Sequence, residues 1–325
     1  MAKQLGILAG CLEARVMDID CVIVGGGAAG LSAALVLGRA RRRTLVIDAS
    51  QQSNRVAHGI GGLLGWDGRP PADLYAHGRT ELAAYPTVEV RDGSVTDIER
   101  VADAFVVQLS DGGQVRARRI LLATGMEYRP PQLPGLAQLW GGSVFHCPFC
   151  HGWEVRDQPI AVCANGDRAV HTALLLRGWS DDVVLLTNGS AELTSDQHDL
   201  LSAAAVAIDA RPIAELASAD GELTAVVFDD GAELSRRGLL VSTTLHQRSP
   251  LAQRLGVEFA APGPVAADAI NVDGFCRTSV PGVFAAGDVS AQMPQVAAAV
   301  AAGSLAAAAI MQTLMSEDVG LPIPH

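Results

Sequence analysis

Asp20-Cys21-Val22-Ile23-Val24-Gly25-Gly26-Gly27-Ala28-Ala29-Gly30 is the stretch that decides the fold. A short apolar run ends in glycines, Leu31 to Arg39 follows with helical spacing, and Thr44 to Ile47 reads as a second strand. Gly25, Gly27 and Gly30 fit G-x-G-x-x-G, with Ala28 and Ala29 completing the turn and Asp48 closing the second strand about 20 residues on. Glycines there let backbone approach a pyrophosphate, a helix N-terminus faces its charge, and an acid at the strand end accepts from ribose hydroxyls. The order strand, glycine turn, helix, strand, acid points to a dinucleotide site.

Working outward, Val88 to Val90, Ala104 to Leu109 and Val115 to Ala117 read as strands separated by Asp92-Gly93 and Asp111-Gly112-Gly113, turns that suggest a small antiparallel insert. Ile120 to Ala123 leads into Thr124-Gly125, and Pro130, Pro131 and Pro134-Gly135 mark a linker, which places a boundary near residue 127. Pro159 to Cys163 then opens a second strand-turn-helix unit, with the turn at 164–169, a helix from Val170 to Arg177 and a strand from Asp182 to Leu186. The fold order of the first unit returns here, but Ala164 and Ala169 replace glycines, Asp167 brings negative charge to the turn, and Thr187-Asn188-Gly189 offers neither an acid for a ribose nor an arginine for a 2'-phosphate. The expectation is a retained fold with a degraded nucleotide site, NADP binding through backbone at Asn165 and Gly166 being left open. Arg236 to Thr244 supplies another strand, Pro250 to Leu255 lies near a return crossing, and Ser279 to Asp288 closes the first unit.

Between the units stands Cys147-Pro148-Phe149-Cys150. Two thiols at this spacing close a disulfide, and a dinucleotide fold beside them gives the two electrons a destination. A structural zinc would need two further ligands at metal spacing; Cys11, Cys21, Cys163 and Cys276 are scattered singly, so no metal is expected. Cys21, Cys163 and Cys276 read as inert core residues, and Cys11 as lying outside the fold. His146 and His151 flank the pair. Imidazole titrates near neutral pH and both takes and returns thiol protons, which makes His151 the candidate base and His146 the second choice. His246 precedes the return linker and is placed to approach from the other side. Phe145, Phe149 and Trp153 would suit an apolar small substrate, with packing at the start of the second unit the stronger reading for Trp153.

Composition narrows the field. A chain of 325 residues accommodates two ordinary domains, and 49% hydrophobic with 18% charged residues is that of a soluble globular protein. A formal net charge of -11 argues against nucleic acid or an anionic membrane as partner. Lys3 is the only lysine, so no lysine beyond the leader serves as base or Schiff-base former. That leader, residues 1–17, holds no signal-peptide core, and Met17 is an alternative start. The expected compartment is therefore the reducing cytoplasm, where a CxxC is more often catalytic than structural. The run from Val296 to Met311 reads as a buried helix too short to span a membrane. The tail from Leu321 to His325 carries no reading.

Taken together, the GGGAAG turn, Ala123-Thr124-Gly125, the CPFC segment just before the second unit and Thr278 to Asp288 as T-S-V-P-G-V-F-A-A-G-D resemble the low-molecular-weight thioredoxin reductases, two-dinucleotide-fold flavoprotein disulfide oxidoreductases. The resemblance covers about Asp18 to about Met311. It implies an α/β fold of two Rossmann-like dinucleotide-binding domains, the second inserted in the first: an FAD-binding domain from 1–127 and 247–325, and an NADP-binding-like domain from 128–246 carrying the CxxC. It implies a homodimer. Gly25, Gly27, Gly30 and Asp48 match the FAD adenosine-pyrophosphate motif, Thr124 and Gly125 the strand-end turn, and Gly287-Asp288 the motif whose acid binds the flavin side. Gln295 and Val296 stand where an Arg-Gln-Ala segment approaches the flavin ring, with Pro294 in place of the arginine. Asn54 and His58 fall in the stretch that lines the flavin.

Cys-Pro-Phe-Cys-His-Gly-Trp-Glu is further similar to the dithiol oxidases that close disulfides in gliotoxin, holomycin and romidepsin-type natural products. His151 replaces the aspartate of the reductases, and Thr187-Asn188-Gly189 replaces their arginine-bearing NADPH motif. This resemblance implies a small-molecule dithiol substrate and FAD that passes the electrons to oxygen; from thiol-exchange chemistry, the expectation is that the substrate thiolate attacks Cys147 and that Cys150 is freed facing the flavin. Two other readings stand beside it: an NADPH-dependent thioredoxin reductase, and a redox-sensing flavoprotein without turnover.

Overall fold

The computed structural model describes residues 19–291, 293–320 and 322. The leader with Cys11 and Met17, and all of the tail but Pro322, lie outside the described residues.

The first unit starts with β1 (Ile19–Val24), α1 (Ala28–Arg39) and β2 (Thr44–Asp48), both strands wholly buried, in the positions the glycine motif indicates. After α2 (Pro71–Leu82) come β3 (Val88–Asp92), β4 (Val95–Val101), β5 (Ala104–Leu109) and β6 (Gln114–Leu122). Strand order in the sheet is β3-β2-β1-β6-β5-β4. β3 corrects the expectation of an insert that contains residues 88–90, since it pairs parallel with β2 and extends the dinucleotide sheet. The antiparallel part is β4, β5 and the first half of β6.

β6 is also one strand where the sequence suggests two. Its N-terminal half pairs with β5, and its C-terminal half, Ile120 to Leu122, takes a parallel partner from far along the chain. The exposed residues at its start and the buried run at its end reflect that change of neighbour.

β7 (Met126–Arg129) leaves the first unit. The second comprises α3 (Leu136–Leu139), β8 (Val144–Phe145), α4 (Pro148–His151), β9 (Ile160–Cys163), α5 (Gly166–Leu176), β10 (Val183–Leu186), α6 (Ser195–Ala203), β11 (Ala207–Asp209), β12 (Ile213–Ala219), β13 (Glu222–Phe228), β14 (Glu233–Ser235) and β15 (Gly238–Val241). Its parallel sheet runs β11-β10-β9-β15-β8, with β12-β13-β14 as a separate antiparallel sheet. α5 begins at Gly166, earlier than the sequence spacing indicates, because Asn165 caps it directly after β9. The expected strand from 236 to 244 is two pieces: β15 in the parallel sheet and β16 (Thr244–Gln247), which pairs antiparallel with β7. Among the described residues, these two strands form a two-stranded ladder of their own at the crossings between the units.

α7 (Leu251–Arg254), β17 (Val283–Ala285) and α8 (Val296–Val319) complete the first unit, with β17 the parallel partner of β6. α8 is longer than expected: its 24 residues have the length and apolarity of a membrane span, contrary to the sequence reading. One face nevertheless packs into the protein. Gly303 is pressed against α1, where a Cβ would lie 2.1 Å from Ala29 O, and Ala306, Ala307, Ile310 and Leu314 are buried in the same core.

Candidate active site

A cavity of about 400 Å³ lies where β1, β6, both crossings and α4 converge. One end is the glycine turn. Gly25 has φ +114, and a Cβ on it would lie 2.2 Å from Ala123 O, so only glycine fits. Gly27 caps α1 without any side-chain hydrogen bond, leaving the helix N-terminal N–H groups for a ligand. Gly27, Ala28 and Ala29 line the cavity, whereas Gly30 does not: it packs under the turn, where a Cβ would meet Gly25 O at 1.9 Å. That is the helix-strand packing role of a third glycine.

Asp48 lines the same end and is heavily bonded. Its carboxylate accepts from the Ser50 N–H at 2.9 Å, the Gly26 N–H at 3.3 Å, Gln52 Nε2 at 3.1 Å and Arg79 at 2.5 Å. Thr124, Gly125, Gly287, Asp288, Gln295 and Val296 all line the cavity. So does Asn54, whose Oδ1 accepts from the Tyr75 hydroxyl at 2.6 Å. His58 does not line the cavity. Its side chain is exposed yet stays beside the site: a Cβ on Gly142 would lie 3.8 Å from His58 Cε1, and His58 is near enough to His151 to act on that imidazole.

The other end holds the thiols. Cys147 is the N-cap of α4, and its Sγ lies 2.6 Å from Cys150 Sγ. Cys150 lines the cavity and Cys147 does not. A hydrogen bond from the Cys150 thiol, with backbone N–H bonds from Phe149 and Cys150, pulls the Cys147 thiol below its ordinary pKa. The hydrogen bond that Cys150 gives to Cys147, then burial and the Cys147 charge, push Cys150 up, so the first proton leaves Cys147. The α4 backbone is held tightly: a Cβ on Gly61 would lie 2.7 Å from Cys150 O. Cys21, Cys163 and Cys276 are buried, and burial raises all three thiols, Cys163 to about 11.

His151 stacks on Phe145 with centroids 5.5 Å apart, and its Nε2 lies 3.2 Å from Gly141 O. A carbonyl only accepts, so Nε2 carries the proton and Nδ1 the lone pair. Nδ1 is buried without a partner. Burial lowers the His151 pKa from its ordinary value. His146 sits between Tyr128, centroids 4.7 Å, and Trp140, centroids 5.7 Å, and burial pushes it down to about 4. His246 is not brought to the cavity; it lies on β16 opposite Glu127.

Of the aromatic residues, Phe145 is buried at the cavity wall, while Phe149 stands 53% exposed, edge-on to Trp179. Trp153 corrects the packing expectation: it is 65% exposed, with the Arg156 guanidinium 3.9 Å above its ring. Tyr128, Trp140 and Arg248 line the cavity unforeseen by sequence. Tyr128 OH donates to Asp288 Oδ2 at 2.9 Å, and burial raises the Asp288 carboxyl. These three residues, with Ser53 and Glu127, also line an adjoining open hollow of about 460 Å³.

In the second unit the corresponding helix end is taken by its own side chains. Asn165 Oδ1 accepts from Gly166 N at 3.0 Å and from Glu192 N at 2.8 Å, and Asp167 in the first turn accepts from Gln197 Nε2 at 2.6 Å.

Two dinucleotide folds, a dithiol between them and one cavity shared by dithiol and glycine turn define a disulfide oxidoreductase of the FAD/NAD(P) type. The sequence pattern described as Pyridine nucleotide-disulphide oxidoreductase matches residues 19–303, and the chain belongs to that family. It is 35% identical to "Thioredoxin reductase tcpT" of Claviceps purpurea over 89% of this chain and 92% of that protein. Among solved structures, that of HlmI has TM-score 0.88 and 39% identity over 93% of this chain and 94% of its own. The oxidoreductase from Agrobacterium tumefaciens has TM-score 0.87 and 37% identity over 92% and 99%.

Proposed function

We propose that this protein is an FAD-dependent dithiol oxidase that forms an intramolecular disulfide in a small-molecule dithiol. The observation that carries this reading is that Cys150 and His151 line the same cavity as Gly27, Ala28 and Asp288. The residues fit FAD: uncapped N–H groups of α1 for the pyrophosphate, Asp48 for the adenosine ribose, and Asp288 with Gln295 and Val296 toward the flavin side. Bound there, FAD would supply the acceptor for the electron pair of the dithiol, with dioxygen as the terminal oxidant.

The protein's part is thiol exchange and proton transfer. In the oxidised enzyme, His151 Nδ1 takes a proton from the substrate, and the resulting thiolate attacks Cys147, freeing Cys150 on the cavity side. The second substrate thiol then attacks the mixed disulfide and expels Cys147. Its lowered pKa makes Cys147 a good leaving group. Closure of Cys147 on Cys150 restores the disulfide as the electron pair leaves through Cys150. Overall, one dithiol and one dioxygen become one disulfide and one peroxide. The aromatic wall of Tyr128, Trp140 and His146 suits an apolar substrate and excludes water. We also propose that the protein works as a homodimer.

Asn165 and Asp167 support a degraded NADP site, because they occupy the helix end that would meet a pyrophosphate. The names of relatives favour the competing reading, NADPH-driven disulfide reduction. Oxygen consumption and peroxide release with a small vicinal dithiol, and separately NADPH oxidation with thioredoxin disulfide, test the two. Turnover with the dithiol alone supports the oxidase; turnover with NADPH and thioredoxin alone contradicts it.

A further inference from the structure

Asn54 stands at the cavity wall on the short helical turn Ser53–Val56, and Tyr75 reaches the same wall from α2. The Tyr75 hydroxyl donates to Asn54 Oδ1 at 2.6 Å and makes no other hydrogen bond among the described residues. Bond length and hydrogen-bond satisfaction both fix the direction of the amide. A separation of 2.6 Å is that of an O–H···O bond and is short for one that involves nitrogen. With the amide reversed, the hydroxyl proton of a tyrosine only 7% exposed would face N–H hydrogens and lack an acceptor. Burial pushes the Tyr75 hydroxyl up to about 12, so that proton is in place at any neutral pH.

Oδ1 is thereby turned to α2, and Nδ2 is left over. It donates to no protein group among the described residues, yet it is not a buried orphan like His151 Nδ1, so its N–H bonds are left to the cavity that Asn54 lines. That stretch of cavity lies between the two acids: Asp288 and Asp48 both act on the Tyr75 hydroxyl, Asp288 the more strongly. Pyrophosphate has its own donors in the uncapped N–H groups of α1. We propose that Tyr75 is a positioning residue, which locks the Asn54 amide with its N–H donors toward bound FAD on the stretch between pyrophosphate and ring. This rests on the reading that FAD lies in the cavity. An amide free to turn would present Oδ1 as readily as Nδ2, and an acceptor facing an acceptor repels. The contribution of the Tyr75 hydroxyl to FAD binding therefore runs through Asn54 and vanishes when that amide is absent.

The test is a double-mutant cycle on FAD dissociation, read as flavin fluorescence recovered when the FAD-loaded enzyme is diluted. Neither dithiol nor NADPH is present, so a failure of the oxidase reading leaves it readable. Tyr75→Phe is expected to raise the dissociation constant roughly fivefold or more, the worth of one hydrogen bond, and Asn54→Ala at least as much. The double variant is expected to stay within about twofold of Asn54→Ala alone. An unchanged constant in Tyr75→Phe overturns the proposal. So does a Tyr75→Phe effect of the same size with and without Asn54, which assigns the hydroxyl to a direct FAD contact or to packing. A wild type that takes up no FAD overturns the cofactor reading itself, and the proposal with it. Should Tyr75→Phe fail to fold, Asn54→Asp decides, since it keeps an acceptor for the Tyr75 hydroxyl and removes both N–H donors. It is expected to weaken FAD binding about tenfold or more, and unchanged binding overturns the proposal.

Discussion

The carbonyl oxygen of Gly141 lies 3.2 Å from Nε2 of His151, and this one contact decides which nitrogen of the imidazole is free to act as a base. Held as the Nε2–H tautomer, the ring presents a buried and unpartnered Nδ1. Burial disfavours the charged form, so the base stays neutral to lower pH than an exposed histidine. The acid limb of kcat/KM for dithiol oxidation is therefore expected below the ordinary histidine value of about 6.5. His151→Gln is expected to remove that limb and lower kcat/KM by about 10²- to 10⁴-fold. A limb that persists in the variant assigns the base elsewhere.

Cys147 owes its acidity to donors from Cys150 and the α4 backbone. In the reduced enzyme it is expected to react with iodoacetamide before Cys150, with a midpoint below the ordinary thiol value of about 8.5. Cys150→Ala deletes the thiol donor, and the Cys147 midpoint is expected to rise. Mass spectrometry of the alkylated peptide reads both outcomes; first modification at Cys150 contradicts the assignment.

His146 ties stability to pH. Its folded pKa, about 4, lies below the unfolded value of about 6.5, so in that window the unfolded chain binds a proton that the folded one does not. The contribution is complete above pH 6.5 and is lost as pH falls toward 4, to a limit of about 3 kcal/mol. His146→Phe keeps an aromatic ring between Tyr128 and Trp140 and removes the titration. Urea midpoints at pH 7 and pH 5 should converge in the variant; an unchanged pH slope contradicts the assignment.

Packing of α8 on α1 gives a structural prediction. A methyl on Gly303 would meet Ala29 O at 2.1 Å, and backbone on both sides prevents easy relief. Gly303→Ala is expected to cost about 2 kcal/mol or more, as overpacking does, seen as a lowered denaturation midpoint. Ala308→Ser, on the exposed face of the same helix, is expected to change little.

What the sequence discloses and what it hides have physical reasons. Gly25 to Gly30 and Asp48 are legible because one turn needs all of them at fixed spacing. Cys147 and Cys150 are legible because their chemistry needs proximity in sequence. Tyr128 and Arg248 are not: they are 120 residues apart and meet only because β7 and β16 pair where the chain crosses and returns. The exposure of Trp153 is not legible either, because side-chain direction depends on local backbone and neighbours that spacing does not encode. β6 reads as two strands in the sequence because its two halves have different partners, which changes its burial pattern halfway along.

The central claim is that electrons enter from a dithiol at the Cys147–Cys150 pair and that the second unit does not deliver them from NADPH. Anaerobic stopped-flow absorbance of the FAD-loaded protein, mixed separately with a small dithiol and with NADPH and then with oxygen, tests it most directly. The account predicts rapid bleaching of the flavin by the dithiol, none by NADPH, and recovery of the yellow form with oxygen. Rapid bleaching by NADPH would contradict it and make the protein a reductase.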